Sequence, residues 1–280
     1  MAFCKNCGAE LGSGAFCANC GTKLVGNPTP ENKPIPTSCN VQINNFKSNS
    51  NIVCIESKGC FEIYEYQKEI NVNPQLAPIT YYMHEMNIHK RQVLCTMNGN
   101  AIKTQTGAMH WTAGNFIENL FSKPVYSGTG YIMLEPTHKH IFLEDVSNWG
   151  NGMVINNEMF LACDDSINVE LIKRLNTSSA LIGGEEIYNL SLSGNGIAVF
   201  KCDVSREEVI EIILDNDEAK IDGNMVVAWS NTLEYSIEKS NKNSQGSWVY
   251  RGSGKILIAP ITPETLFIKK SSFHQQNKFF

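Results

Sequence analysis

A 20-residue block that recurs in this chain restricts the possible folds more than any other feature of the sequence. Residues 153–172, MVINNEMFLACDDSINVELI, return 66 positions later as residues 219–238, AKIDGNMVVAWSNTLEYSIE. A Gly-x-Gly motif at residues 128–130 returns at the same step, at residues 194–196. Two markers that share one period predict a tandem structural repeat, in which each copy is one small supersecondary unit.

Short β-rich runs separated by glycine-containing turns begin near residue 50 and predict an all-β domain. Examples are residues 51–57, 61–67 and 91–97, which are rich in β-branched and aromatic side chains. Many short strands with frequent turns are typical of a β-sandwich or a barrel. Residues 205–214, SREEVIEIIL, have a helical composition, but the repeat places them opposite a strand, so we expect a strand there.

Two incomplete copies of the repeat indicate how the domain closes. A third Gly-x-Gly motif at residues 252–254 precedes the strand-like residues 255–258, but too little chain follows to supply another block. Residues 107–109, Gly-Ala-Met, resemble the methionine part of the block but lack a glycine marker before them. We therefore predict three units, one of them assembled from both ends of the domain, with residues 255–258 paired to a strand near residues 92–97. Such a closure would hide sheet edges.

Two closely spaced cysteine pairs at the start of the chain predict a zinc ribbon. Cys4-x-x-Cys7 and Cys17-x-x-Cys20 are each followed by glycine, which permits the tight turn of a metal knuckle. Four thiolates in this spacing favour a tetrahedral zinc site. Because four protein ligands fill the coordination sphere, we expect a structural Zn²⁺ that supplies the folding energy of the segment. A redox dithiol pair is the alternative, but no surrounding βαβ pattern supports it.

Changes in composition divide the chain into four segments. Residues 1–24 form the predicted zinc ribbon, and residues 25–49, rich in proline and asparagine, are typical of a flexible linker. Residues 50–262 hold the predicted three-repeat β domain. Residues 263–280, which carry lysines and phenylalanines, are interpreted as a docking tail or frayed end, with an interfacial membrane anchor as the alternative.

The overall composition favours a soluble protein of a reducing compartment. A formal net charge of −5 argues against a dominant nucleic-acid-binding surface. The sequence has no run of about 18 apolar residues, so we expect no transmembrane segment, and its first residues lack the apolar core of a signal peptide. Six of the ten cysteines are scattered, which favours free thiols in the cytoplasm over a disulfide framework.

One other set of residues has metal-ligand chemistry. His138, His140 and Glu144 fit a His-x-His-x3-Glu pattern, and residues two apart on a strand face the same side. A metal-dependent enzyme that uses this set is a hypothesis, but the domain lacks the further histidine that such sites need, so two surface histidines are the favoured interpretation. Structural roles are expected for the block methionines, an Asp-Asp turn and the isolated cysteines: Met109, Met159, Met225, Asp164, Asp165, Cys39, Cys54, Cys60, Cys95, Cys163 and Cys202.

Four stretches of the chain resemble one known family, the altered inheritance of mitochondria protein 24 family. They are residues 107–109, 152–166, 183–200 and 226–239, and the resemblance extends over about residues 50–262. It implies a shortened double-stranded β-helix repeated three times, similar to the fold of the trp RNA-binding attenuation protein, and a trimer that forms a ring of nine units. Mitochondrial relatives are implicated in inner-membrane organisation. The resemblance implies no catalytic residues.

Together these observations predict a non-catalytic scaffold or binding protein. A structural zinc ribbon precedes a double-stranded β-helix-like domain that forms a homotrimer and binds an unidentified protein partner. A nucleic-acid-binding ring protein is the alternative, because zinc ribbons and rings of this fold both occur in such proteins, but the acidic balance weighs against it. Peripheral contact with a membrane through the tail is left open.

Overall fold

The computed structural model describes residues 35, 37–69, 73–120, 123–173, 188–222, 225–238 and 247–260. All of them belong to the second of the two parts into which the chain divides, Ile35–Phe280. The four cysteines of the predicted zinc ribbon and the predicted tail at residues 263–280 lie outside the described residues.

Strands dominate the described part of the chain, which confirms the predicted all-β class. One short helix, α1 (Ala77–Glu85), and two 3-10 turns at Val146–Trp149 and Asn157–Met159 interrupt them. The strand expected at residues 205–214 starts later, at Ile210, because the residues before it form a turn. The strands are β1 (Ile52–Lys58), β2 (Phe61–Tyr66), β3 (Arg91–Thr104), β4 (Met109–Asn119), β5 (Val125–Leu134), β6 (His140–Asp145), β7 (Met153–Asn156), β8 (Phe160–Asp164), β9 (Asn168–Lys173), β10 (Tyr188–Ser193), β11 (Ile197–Cys202), β12 (Ile210–Asp222), β13 (Val226–Ser230), β14 (Glu234–Glu238) and β15 (Ser247–Ile258).

The described strands form two sheets in which neighbouring strands run antiparallel. The first sheet has the order β1-β2-β3-β8-β11-β6, with β5 added to β3 and β4 added to β5. The second has the order β12-β15-β13-β7-β10-β9, with β14 added to β15. Six strands of the first sheet, in the order β6-β11-β8-β3-β5-β4, correspond one by one to the order β12-β15-β13-β7-β10-β9 of the second sheet. The two sheets are therefore built on one pattern.

Three hairpins share one pairing register, and each has a β-bulge at the equivalent place. Their arms are β4 with β5, β8–β9 with β10–β11, and β13–β14 with β15. In each hairpin, two successive residues of the second arm face two residues of the first arm that are separated by one bulged residue. The facing sets are Met133–Leu134 with Trp111 and Met109, Val199–Phe200 with Ala162 and Phe160, and Leu257–Ile258 with Ala228 and Val226.

Each hairpin also follows a strand that pairs with its second arm. This strand is β3 in the first case, the interrupted pair β6 and β7 in the second, and β12 in the third. Each hairpin and the strand before it form one consecutive segment of the chain. We call these segments the first unit (residues 91–134), the second unit (140–202) and the third unit (210–258). Equivalent facing pairs in the three units are Ile102 with Tyr126, Met153 with Leu192, and Ala219 with Tyr250.

The predicted closure of the domain is wrong. Residues 255–258 form the end of β15 and pair with β12 and β13, whereas residues 91–97 open β3 and pair with β2 and β5. The third unit looked incomplete because its hairpin loop is short. In the third hairpin Glu234 faces Arg251, 17 positions later. Their equivalents in the second hairpin, Asn168 and Ser193, are 25 positions apart. The third Gly-x-Gly motif therefore arrives earlier than a constant step predicts.

Four apolar clusters form the core of the described part of the chain. Three lie mainly within the three units, and the fourth lies on the first sheet between the start of the described chain and β2, β3 and β5. Phe46 belongs to this fourth cluster, is 8% exposed, and has its ring 4.6 Å from that of Tyr64. Burying a phenylalanine side chain contributes about 2 kcal/mol. The end of the segment expected to be a linker, residues 25–49, therefore packs on the sheet.

The Gly-x-Gly motifs allow the arms of a hairpin to approach closely. Gly130 of β5 faces Gly114 of β4, and a Cβ atom on Gly130 would lie 2.3 Å from the carbonyl oxygen of Ala113. Gly130 also has a φ of +139°, which residues with side chains rarely adopt. The motif therefore reflects hairpin geometry, and the repetition of the hairpin explains its recurrence in the sequence.

Candidate functional site

Two side chains of the His-x-His-x3-Glu pattern contact other residues, and the three do not form a metal site. Nε2 of His138 lies 2.5 Å from Oε1 of Glu69, and Oε1 of Glu144 accepts a hydrogen bond from Nε of Arg206 at 3.2 Å. His140 lies half-buried at the start of β6. Among the described residues, no group of three histidine, cysteine, aspartate or glutamate side chains could hold a metal ion. This geometry does not support the hypothesis of a metal-dependent enzyme at these residues.

His140 borders a buried polar cluster. Arg91 and Glu65 form an ion pair with 2.7 Å between Nη2 and Oε2, and both side chains are largely buried. Burial lowers the pKa of His140 and the charge of Arg91 lowers it further, although Glu65 and Asp203 act in the opposite direction. Main-chain hydrogen bonds join Arg91 and Thr137 in both directions, at 2.7 and 2.9 Å. The cluster ties β2, β3 and the segment before β6 together, so we assign it a structural role.

The six described cysteines are free thiols. Burial raises the pKa of Cys60 and that of Cys163 to about 12, and it raises the pKa of the fully buried Cys95. Because the thiolate is the reactive form of cysteine, these thiols are poor nucleophiles near neutral pH. The packing role predicted for Cys163 is confirmed by its complete burial.

The methionines of the repeated block pack against the core, as predicted. Met109, Met159 and Met225 each lie partly buried against a different apolar cluster. The predicted Asp-Asp turn is also confirmed, since the chain turns after Asp164 at the end of β8. One Asp164 carboxylate oxygen accepts a hydrogen bond from the N–H of Ile197 at 2.7 Å, so this carboxylate holds the turn to β11.

The junction between consecutive units is a contact that the chain makes twice. The last part of β3 pairs with β8 of the second unit, and β7 pairs in the same register with β13 of the third unit. Both junctions continue with an equivalent main-chain hydrogen bond. At the first junction the N–H of Asp165 donates to the carbonyl oxygen of Ala101 at 3.1 Å, and at the second the N–H of Asn231 donates to the carbonyl oxygen of Gly152 at 3.0 Å. The facing pairs are Thr104–Ala162, Lys103–Cys163 and Ile102–Asp164 at the first junction, and Ile155–Ala228, Val154–Trp229 and Met153–Ser230 at the second.

Two strand edges occupy junction positions but have no junction partner within the described residues. Among the described strands, β4 pairs with β5 alone and β12 pairs with β15 alone. No described strand therefore adjoins the outer edge of residues 111–113 or that of residues 219–221, and we call these two the open edges. Ala162 and Ala228, which take the place of Trp111 at the internal junctions, are fully buried, whereas Trp111 is only partly buried. Within the described residues, the first unit therefore lacks a junction partner for β4, and the third unit lacks one for β12.

One apolar side chain of the edge strand β4, Trp111, is partly buried against the fourth apolar cluster and keeps part of its surface in water. Three further side chains are partly buried against the same cluster elsewhere on the sheet: Tyr131 of β5, Ile43 before β1 and Ile52 of β1. An unpaired strand edge next to apolar side chains is a template for pairing with another chain.

The comparison with protein families agrees with the resemblance in the motifs. The sequence matches the family described as Mitochondrial biogenesis AIM24 over residues 69–262. The chain belongs to the AIM24 family. The matched region of this AIM24 family member covers more than half of the chain, includes all three units, and ends just after β15.

A protein from Streptococcus pyogenes, SPYM3_0169, is similar to this AIM24 family member with a TM-score of 0.49 and 20% sequence identity, over 64% of this chain and 91% of that chain. No curated protein matches the sequence significantly. In the described part of the chain, no helix has the length and apolar character needed to cross a membrane.

Sequence reasoning missed the open edges of this AIM24 family member, although a signal for one of them was present. Trp111 stands where the equivalent strands have Ala162 and Ala228, and a large aromatic residue in place of a buried alanine indicates a different neighbour at that position. The ion pair of Arg91 and Glu65 had no such signal, because the helix and loops between β2 and β3 separate the two residues in the sequence.

Proposed function

We propose that this AIM24 family protein is a non-catalytic scaffold that assembles head to tail, with β12 of one copy pairing to β4 of the next. The observation that carries the proposal is the register shared by the two internal junctions. At each internal junction, the first strand of one unit pairs with the hairpin of the next unit. In the third unit that first strand is β12, and in the first unit the corresponding hairpin strand is β4; neither has its junction partner within the described residues. The two open edges are complementary to each other and not to themselves, so the contact is heterologous.

The register of the proposed contact follows from the internal junctions. In that register Ile221 faces Trp111, Lys220 faces Thr112, and Ala219 faces Ala113. The contact would bury the remaining exposed surface of Trp111 and would pair the main-chain groups of both edges. Antiparallel pairing with aromatic and β-branched neighbours is a favourable cross-strand combination.

A heterologous contact either closes into a ring or continues as a filament. We propose a closed homotrimer in which nine units of a three-repeat, double-stranded β-helix-like chain follow one another around the ring. Two features support closure: each sheet already spans parts of two successive units, and a ring leaves no open junction edge to recruit further chains.

We further propose that the ring presents zinc ribbons to a protein partner. Cys4, Cys7, Cys17 and Cys20 would bind one structural Zn²⁺, since four thiolates leave no position for water or substrate. Several ribbons on one ring would bind a multivalent partner more tightly than a single ribbon, because the later contacts are intramolecular. The free state of the six described thiols supports a reducing location, which we propose is the cytoplasm.

The experiment that tests the assembly is the mass of the Thr112→Pro variant in solution, measured by size exclusion with light scattering. In β8 the N–H of Asp165 points to β3, and alternate residues of a strand share that direction. Cys163 therefore also points its N–H to β3, and Thr112 occupies the equivalent place in β4. Proline lacks this N–H and is tolerated at strand edges, so the variant should lose the contact and keep the pairing of β4 with β5.

The matched control is Thr112→Val, which keeps the N–H and the side-chain shape. We expect the wild type and Thr112→Val to show three times the chain mass of 31.2 kDa, and Thr112→Pro to show the mass of one chain. A wild-type protein that is monomeric at micromolar concentration would rule out the proposed scaffold.

A further inference from the structure

The first half of β12, residues 210–214, exposes an apolar strand edge that the proposed head-to-tail contact does not use. Its inner edge pairs with β15, where Ile210 faces Ile258. None of the described strands pairs with its outer edge. Ile210 and Ile213 are 54% and 75% exposed, although both lie in a strand of a packed sheet.

The equivalent edges of the other two units are covered. In the first unit, β2 pairs along the first half of β3. In the second unit, Nζ of Lys58 donates a hydrogen bond to the carbonyl oxygen of Leu143 in β6 at 2.6 Å. Glu211 of β12 takes the place of Leu143, because the two residues face equivalent positions of β15 and β11. The third unit is the one whose edge has no such cover among the described residues.

The main-chain groups of Glu211 and Ile213 point to this outer edge. The carbonyl group of Leu143 points outward to the lysine, whereas the N–H of Val146 points inward and donates to Gly196 at 3.0 Å. Alternate residues of a strand direct their main-chain groups to the same side. Glu211 and Ile213 therefore offer donors and acceptors in the geometry that an added strand requires.

The charge around the edge restricts what can add to it. Residues 205–215 contain one arginine, Arg206, which already contacts Glu144 and Glu211 at 3.2 and 3.4 Å. Two copies that paired through this edge would bring like charges together, which destabilises cross-strand neighbours. A strand with apolar and basic side chains is the complementary occupant. The acidic residues of the segment 205–215 are Glu207, Glu208, Glu211 and Asp215.

The chain itself continues from this place with a segment of that composition. Ile258, the last residue of β15, faces Ile210, and 20 residues, 261–280, follow the described part. Residues 264–270, ETLFIKK, contain three successive apolar residues and two lysines. Crossing β12 to its outer edge requires about 10 Å, two strand spacings, and residues 259–263 can span up to about 17 Å.

We propose that residues 264–270 add to the outer edge of β12 as a strand of the same chain. The segment starts beside Ile210 and therefore runs parallel to β12. Its apolar residues cover Ile213, and Lys269 and Lys270 neutralise the acidic side chains around the edge. The tail in this way gives the third unit the cover that β2 and Lys58 give the other two.

Amide hydrogen exchange tests this proposal on the full chain and on a chain that ends at Pro260. We expect the outward amides of Glu211 and Ile213 to exchange at least about tenfold faster in the shortened chain, because they lose their acceptors. The inward amide of Ile212 should exchange at the same rate in both, which shows that β12 and β15 remain folded. Equal rates for Glu211 and Ile213 in the two chains would overturn the proposal.

Charge reversal within the tail gives a matched comparison. Lys269→Glu combined with Lys270→Glu should speed the exchange of the Ile213 amide, whereas Lys278→Glu, outside the added strand, should not. If the protection of Ile213 in the full chain falls on dilution, the occupant comes from a second copy and the assignment to the same chain is wrong. This contact uses residues 210–214 and the oligomer test uses Thr112, so each proposal can fail while the other stands.

Discussion

Arg91 and Glu65 face each other across β3 and β2, and two guanidinium nitrogens, Nε and Nη2, lie 2.9 and 2.7 Å from the same carboxylate oxygen. The two side chains are 4% and 13% exposed. Removing one partner of a buried ion pair leaves the other charge desolvated and uncompensated, which costs more than removing both. The pair therefore holds β2 on the first unit through an interaction that single substitutions should expose.

The first prediction concerns this ion pair. Glu65→Gln should lower the free energy of unfolding by about 3 kcal/mol, because Arg91 stays buried without a counter-charge. Arg91→Met combined with Glu65→Leu should recover most of that loss. The measurement is urea unfolding followed by circular dichroism.

An exposed ion pair of the same chain provides the control. Arg251 and Glu218 are 45% and 54% exposed at a distance of 2.9 Å, so Glu218→Gln should change the free energy of unfolding by less than about 1 kcal/mol. Equal losses from Glu65→Gln and Glu218→Gln would mean that burial does not determine the strength of the Arg91 pair.

The second prediction concerns the close approach of β4 and β5. Gly130→Ala should lower the melting temperature strongly, because the new Cβ atom would lie 2.3 Å from the carbonyl oxygen of Ala113 at a φ of +139°. Gly107→Ala, at a φ of +78° with nothing within 4 Å, should cost only about 1–2 kcal/mol from its left-handed conformation. Differential scanning calorimetry of the two variants checks the order, and a larger loss for Gly107→Ala would contradict it.

The third prediction concerns the pH dependence of stability. The pKa of His140 is lowered in the folded protein, first by burial and then by the charge of Arg91. The unfolded chain therefore binds a proton more readily than the folded one, and stability should rise as the pH increases toward and past the ordinary histidine pKa of about 6.5. As the pH falls below that value, this contribution should be lost.

Chemical denaturation of the wild type and of His140→Gln between mildly acidic and neutral pH measures this effect. The variant lacks the titrating ring, so its stability should vary less with pH over that range. The same slope in both proteins would show that groups other than His140 dominate the pH dependence.

The fourth prediction concerns the zinc ribbon. Metal analysis of purified protein should give one zinc per chain, and Cys17→Ser should lose it, because three remaining thiolates no longer fill the tetrahedral site. Cys60→Ser, a change at a free thiol of the β domain, should keep the zinc. Wild-type protein without zinc under reducing conditions would show that the Cys-x-x-Cys pairs do not form a ribbon.

The Gly-x-Gly motifs link the sequence to the fold in one respect and mislead in another. Their recurrence correctly indicated repeated β units, since close approach of two arms requires glycine at the same point of each hairpin, as Gly130 and Gly114 show. The same motif misled at residues 252–254, because the shorter loop of the third hairpin moved it away from the expected step. The equivalence of β15 to β10 and β11 becomes visible only when strand registers are compared.

The sequence by itself determined the strand-rich class, the repetition and the structural roles of the block methionines and of Cys163, because these depend on local patterns of apolar residues and turns. The tertiary structure decided that the units are consecutive and that β15 pairs with β12 and β13 and not with β3. It also decided that no described strand adjoins the outer edges of residues 111–113 and 219–221. Strand pairing joins residues that are far apart in the chain, and loop length and side-chain packing select among registers that local sequence leaves equally available.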